Sequence, residues 1–290
     1  MVISQLNGGL GNQLFQYATA FSLAKALNTS YIFDKSLFDK EITIRKIQLE
    51  KFNVPFKTIN QFSLKLLTDQ KKIKIDNRHY NPFFHEVICD PIWQKVDLRS
   101  KGKRVYLKGY WPYLDYFKEN KDYLRKGFTI RDSFKTNAFD KMLLSIISSE
   151  SVSIHIRLED YQTDSSRSLF GMQSPDYYAQ AIHYIETKIP NPSYFIFTDN
   201  IELVKSEYNL PATAVFIAEQ NIETDYLEFE LMRNSKHNII ANSTFSWWAS
   251  FLNNNPDKIV IQPAKWYNDQ NAQLVYQSRE ILFNQEAIFI

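Results

Sequence analysis

Glycine is scarce in this chain: 7 of 290 residues, about 2.4 % against roughly 7 % in ordinary proteins. Cysteine occurs once, at Cys89, which excludes an internal disulfide and a cysteine-built zinc site. No apolar run approaches the ~18 residues of a membrane span, and Met1-Val2-Ile3-Ser4 lacks the basic stretch of a secretory signal. The expectation is a cytoplasmic protein without an anchoring segment. Neither charge dominates: 34 Lys plus Arg face 32 Asp plus Glu, a net charge of +2, so nothing suggests a nucleic-acid partner. None of the 17 aspartates is followed two positions later by another, and the five histidines (79, 85, 155, 183, 237) are scattered. No metal site is expected from such a pattern. A Gly-x-Ser-x-Gly elbow and a Walker loop are also missing.

What is present is a large core. Hydrophobic residues make up 44 % and aromatics 15 %, too many for disorder, and the length suits two compact domains. Three of the few glycines, Gly8, Gly9 and Gly11, fall within four positions. Glycine serves where backbone takes positive φ or approaches a ligand closely, so this cluster marks a special loop. Before it, Val2 to Leu6 reads as a buried strand. After it, Leu14, Tyr17, Ala18, Phe21, Leu23, Ala24 and Leu27 recur at helical spacing, and Tyr31-Ile32-Phe33-Asp34 reads as the next strand. This β-loop-α-β order opens a Rossmann-like unit. Residues 35–103 carry little pattern, and the Lys-rich stretch from Lys65 to Arg78 reads as solvated. Val105 to Trp111 is a strand entering an aromatic loop, and Tyr116 to Lys126 returns to helix.

A second α/β series begins near residue 151. Strands are expected at 152–156, 194–198, 214–218, 238–241 and 258–262, with a helix from Pro175 to Thr187. The resulting expectation is an N-terminal Rossmann-like domain over 1–148 and a C-terminal one over 149–290.

Three segments carry candidate chemistry. In Asn7-Gly8-Gly9-Leu10-Gly11-Asn12-Gln13 the start of a helix offers free N–H groups to an anion, with Asn12 and Gln13 as amide donors. The loop also begins a dinucleotide fingerprint, with Asp34 near the ribose position, but Leu14 stands where the third glycine belongs. In His155-Ile156-Arg157-Leu158-Glu159-Asp160 a strand ends in charged residues, and Arg157 can grip a phosphate bidentately. In Asn242-Ser243-Thr244-Phe245-Ser246-Trp247-Trp248 small polar residues precede an aromatic helix they can cap. Each segment also has a purely structural reading: a tight turn, a surface ion pair with a packed histidine, and a plain helix cap.

In this order the three segments resemble the bacterial α-1,2-fucosyltransferases of glycosyltransferase family 11. Gly8-Gly9-Leu10-Gly11-Asn12-Gln13-Leu14-Phe15-Gln16-Tyr17-Ala18 is similar to that family's opening signature. His155-x-Arg157-x-x-Asp160 is similar to its His-x-Arg-Arg-x-Asp motif, and Ile239 to Trp248 matches its C-terminal motif. Gly109-Tyr110-Trp111, Asp176-Tyr177-Tyr178 and Phe197-Thr198-Asp199 are weaker matches. The resemblance implies an α/β fold of GT-B type, two Rossmann-like domains facing across a cleft, the first on the acceptor side and the second on the GDP-fucose side. It implies an inverting, metal-independent transfer of L-fucose from GDP-β-L-fucose to the 2-hydroxyl of a galactose residue. The donor is a substrate; no cofactor is implied. The galactose-terminated acceptor is either free or lipid-linked, the latter placing the enzyme peripherally at the inner membrane face.

The resemblance gives Arg157, His155, Asp160 and Asn12 catalytic roles. Gly11, Asn12, Gln13, Arg157, Asn242, Ser243, Thr244 and Phe245 are implied to bind the donor, and Glu228 or Asp199 to hold the guanine edge. Asp160 and His155 are candidates for the general base, with orienting Arg157 the alternative role for Asp160, and the sequence does not identify which residue takes the proton. The chain departs from the pattern at Leu158, where the family has a second arginine, at Glu159, and at Pro112-Tyr113-Leu114-Asp115. Competing readings are a related transferase with another donor or linkage, a nicotinamide oxidoreductase using Asp34, and a non-catalytic glycan-binding protein.

Overall fold

The computed structural model describes the chain except residues 44, 61–62, 65–72, 76–77, 82–84, 92–93, 99–103, 159–168, 223, 279–280, 283 and 285; for 73–75, 78–81 and 85 it describes the backbone. The chain divides into two compact units, Met1–Phe128 and Thr129–Ile290. This division lies upstream of the expected change at 148/149. The reason is the helix Asn137–Ile147, capped by Thr136, which packs on the second unit's helix Asp225–Asn234. Phe134 lies 6.2 Å from Tyr226 on that same helix.

In the first unit the strands β1 (Val2–Gln5), β2 (Tyr31–Asp34), β3 (Ile73–Ile75), β4 (Arg78–Asn81), β5 (His85–Cys89) and β6 (Arg104–Lys108) form one sheet. Its order is β2-β1-β6-β5-β4-β3. The first four in that order run parallel, and β4 and β3 add an antiparallel margin. The helix Leu10–Ala26 connects β1 to β2. It is rich in Leu and Ala, good helix formers, and ends where Asn28 takes the left-handed conformation at φ 48°.

The second unit holds β7 (Ser151–Ile156), β8 (Ser193–Thr198), β9 (Val215–Phe216), β10 (His237–Ile239), β11 (Val260–Gln262) and β12 (Ala287–Phe289). All pairings in this sheet are parallel, in the order β12-β11-β10-β7-β8-β9. β7 is buried along its whole length, as expected of a central strand covered on both faces. The helix Pro175–Lys188 follows it, with Ser174 accepting from the Tyr177 N–H as its cap. Read from β9, the strand order is that of the dinucleotide-binding α/β fold, which reverses between β7 and β10. In such sheets ligands bind outside the carboxyl ends of the strands at the reversal. In the first sheet β1 and β6 lie side by side and parallel, but the steps from β1 to β2 and from β5 to β6 run the same way across the sheet, so no such reversal falls between them.

Candidate active site

β7 ends at Ile156, so Arg157 stands at the carboxyl end of one reversal strand; β10 ends at Ile239, and Ser243 follows it. The Arg157 Nη1 donates to Ser243 Oγ at 3.0 Å, across the reversal point and 86 residues apart in sequence. The same Oγ accepts from the Phe245 N–H at 3.3 Å, capping the helix Thr244–Leu252. A guanidinium thus stands at the positive end of a helix whose first turn holds no acidic residue. Cations are disfavoured there and anions favoured, so the pair creates a field that an anionic group relieves. Thr244 and Phe245, the first two residues of this helix, are half-buried.

His155 does not suit the role of general base. Burial, followed by the neighbouring Arg157 charge, pushes its imidazole down to about 3, so it stays neutral and is a poor proton acceptor at neutral pH. Its Nδ1 is buried without a hydrogen bond, its ring lies 5.6 Å from that of Phe245, and its carbonyl accepts from the Tyr178 hydroxyl. The histidine packs the strand end against the helix start. Asp160, the other expected base, and Glu159 lie outside the described residues. Leu158 is buried in the core of the second unit, so this position faces apolar side chains in place of the family's arginine.

Asp199 follows β8, and its Oδ1 accepts from the Leu158 N–H at 2.9 Å, tying the ends of β7 and β8 together. Glu228 lies in the first turn of the helix Asp225–Asn234. Burial, and then the Asp225 and Asp199 carboxylates, push its carboxyl up to about 8. Such a group accepts a ligand's N–H donors more readily than a second negative charge. Asp199 is thus tied to the backbone of the neighbouring strand end. Asn242 is a correction: its side chain is buried, and Nδ2 points to the carbonyls of Gly171 at 2.9 Å, Trp266 at 3.0 Å and Phe170 at 3.3 Å. It braces loops inside the protein and its amide nitrogen is not offered to a donor.

In the first unit Gly8 has φ 77°, and a Cβ there would stand 2.6 Å from Asn12 Nδ2. Gly9 caps the helix Leu10–Ala26 with no side-chain hydrogen bond. Asn12 is half-buried on its first turn, while Gly11 is buried. Gln13 is a second correction. It is fully buried; Nε2 donates to the carbonyls of Gly8 at 3.0 Å and Lys46 at 2.8 Å, and Oε1 accepts from the Gln48 N–H at 3.0 Å. It holds the loop's shape and has no exposed amide for a donor. Gln16, not singled out in the sequence, does comparable work: Oε1 accepts from the Asn7 N–H and Nε2 donates to the Gly109 carbonyl. Its signal was available, since Gln13 and Gln16 are polar residues three apart on the helix's apolar face. Asp34 is buried, with Oδ2 accepting from the Tyr106 hydroxyl at 2.6 Å and Oδ1 from the Ser36 N–H at 2.8 Å. Both oxygens are occupied, which removes the ribose contact on which the oxidoreductase reading rests.

Among the described residues no three His, Cys, Asp or Glu side chains are grouped to hold a metal ion, and no helix is long and apolar enough to cross a membrane.

Comparison with known proteins gives the family. The E. coli O-antigen biosynthesis glycosyltransferase WbnK is 29 % identical over 92 % of this chain and 95 % of its own length. An E. coli α-1,2-colitosyltransferase is 30 % identical, covering 92 % of each chain. Galactoside α-(1,2)-fucosyltransferase 2 of Hylobates lar is 22 % identical over 84 % of this chain and 67 % of its own. Among solved structures, the NodZ α-1,6-fucosyltransferase co-crystallised with GDP superposes with a TM-score of 0.55 at 15 % identity, covering 87 % of this chain and 91 % of that one. That likeness places the fold among the α/β transferases of GT-B type. The model of glycosyl transferase family 11 matches residues 1–286, and the chain belongs to that family.

Proposed function

We propose that this chain is an inverting galactoside α-1,2-fucosyltransferase that uses GDP-β-L-fucose. The observation that carries the reading is Arg157 held on the Ser243 cap at the reversal point of the second sheet. As the bond between fucose C1 and the phosphate oxygen breaks, the leaving GDP gains negative charge. Arg157, the Ser243 hydroxyl and the positive start of the helix Thr244–Leu252 stabilise it. The acceptor 2-hydroxyl oxygen attacks C1 from the opposite face, inverting the centre, and its proton passes to a base. Asp160 remains our assignment for that base. Glu228 receives the guanine N–H edge, with Asp199 holding the neighbouring strand end. Asn12, with Gly11 behind it, is an amide donor on the first turn of the first unit's helix Leu10–Ala26. The first unit serves the acceptor, and the second serves the donor.

Because Arg157 supplies the compensating charge, no metal is required. Fucose transfer is expected to persist in excess EDTA; loss of activity restored by Mn²⁺ or Mg²⁺ contradicts this. The enzyme works in the cytoplasm on a galactose-terminated glycan, free or carried on lipid at the inner membrane face. Fractionation with and without the lipid-linked acceptor separates these cases. A second reading is favoured by the colitosyltransferase relative at 30 % identity: the donor sugar is then the 3-deoxy analogue of fucose. Competition between GDP-fucose and GDP-colitose for one galactoside, followed by linkage analysis of the product, decides between them. A new α-1,2-fucosyl linkage supports the first reading, and exclusive use of the colitosyl donor supports the second.

A further inference from the structure

In the first sheet β1 and β6 lie side by side and parallel, and the loops leaving those two strands are laced into one rim. Asn7 Nδ2 donates to the Tyr110 hydroxyl at 3.1 Å, and the Gln16 amide bridges the Asn7 N–H to the Gly109 carbonyl at 3.1 and 3.0 Å. Asp90, just after β5, clamps the rim from the other side. Its Oδ2 accepts from both the Tyr110 N–H at 3.0 Å and the Trp111 N–H at 2.8 Å.

The turn so held is costly in itself. Gly109 has φ 153°, and a Cβ there would stand 2.1 Å from the Cβ of Asp90. Trp111, a non-glycine residue, has φ 62°, and its indole N–H is buried without a hydrogen bond. Backbone held in such conformations persists where its surroundings over-determine it, and it gathers at ligand clamps. Tyr110 remains half-buried, presenting an aromatic ring and a hydroxyl just past the carboxyl end of β6. Burial and the Asp90 carboxylate keep that hydroxyl protonated. A carboxylate under the turn repels a diphosphate and tolerates a neutral sugar, whose apolar face can lie on an aromatic ring.

We propose that Asp90 is a positioning residue for the acceptor, fixing the Gly109–Trp111 turn so that Tyr110 meets a neutral galactoside beside the ends of β1 and β6. The assignment of a galactoside rests on the transferase reading above; the clamp itself does not. Lactose binding followed by ligand-observed saturation-transfer NMR, beside GDP binding by calorimetry, tests it on the full chain. Asp90→Ala is expected to weaken lactose binding about tenfold, a usual scale for misplaced positioning groups, with the GDP Kd within about twofold. Asp90→Asn keeps an oxygen for both N–H groups and is expected to restore binding, which a role resting on bulk charge does not predict. Tyr110→Phe removes only the hydroxyl that joins Asn7, so it reports even if Asp90→Ala fails to fold, and it too is expected to weaken lactose binding. Unchanged lactose binding in Tyr110→Phe and any folded Asp90→Ala, or a GDP affinity that falls in step with lactose, overturns the proposal. Absence of GDP binding in the unmodified protein counts against the donor reading instead, and the lactose arm still judges the rim.

Discussion

Glu228 and Asn242 look alike in the sequence, as polar residues in or just upstream of the C-terminal motif, yet the structure separates them. The Glu228 carboxyl is held up at about 8 by burial and by Asp225 and Asp199. A raised folded value means that the folded protein binds a proton that the unfolded chain releases. Glu228 therefore favours folding least above pH 8, and its contribution falls as pH rises from the ordinary carboxylate range through 8. A guanine edge that donates to this carboxylate lowers its pKa, so GDP binding at pH 7 is expected to release a proton from it. Calorimetry in buffers of different ionisation enthalpy measures this, with Glu228→Gln as reference. Equal release in both proteins places the base elsewhere. Asn242→Ala leaves buried carbonyls at Phe170, Gly171 and Trp266 without its amide, and is expected to cost about 1–3 kcal/mol in chemical denaturation. Arg157 and Ser243 were legible because charge and cap follow from residue type at a strand end. Gln13 and Asn242 were misread because the carbonyls they brace, such as Lys46 and Trp266, come from loops that only the folded chain brings near.

Regular elements were readable where burial imposes a period. The fully buried β7 and the buried middle of β8 read as apolar runs, and the Pro175–Lys188 helix announced itself through Ser174 and Pro175. β3, β4 and β5 were not read, since strands of 3, 4 and 5 residues carry too few alternations to outweigh their polar side chains. The glycine loop shows how an element can be legible in place and misassigned in detail. Gly8 is the residue that the backbone requires, at φ 77° and with Asn12 against the missing Cβ, whereas a Cβ on Gly9 meets nothing within 4 Å. Gly8→Ala is expected to destabilise by about 1–3 kcal/mol, the usual cost of forcing a side chain into that region. Gly9→Ala is expected to melt close to the unmodified protein. Thermal denaturation of the two variants side by side checks this; equal losses contradict the assigned geometry.

At the scale of the molecule, each unit holds a sheet whose central strands are parallel, and the loops leaving those strands carry a distinct kind of chemistry in each. The second offers a guanidinium and a helix start suited to anions, while the first offers an aromatic turn backed by a carboxylate. The two-unit plan was legible from the β-loop-α-β pattern and its restart near residue 151. The placement of the helix Asn137–Ile147 with the second unit was not, because its apolar face names no partner until the Asp225–Asn234 helix is beside it. The central claim is that Arg157 offsets the charge on the departing nucleotide. The most direct test is the rate of GDP release from GDP-fucose, in the presence of a galactoside mixture, by the unmodified protein and by Arg157→Ala at equal melting temperature. A loss of about 10²–10³-fold is the predicted result, the scale for removing an electrostatic stabiliser of the transition state. An Arg157→Ala protein that releases GDP at the full rate contradicts the account.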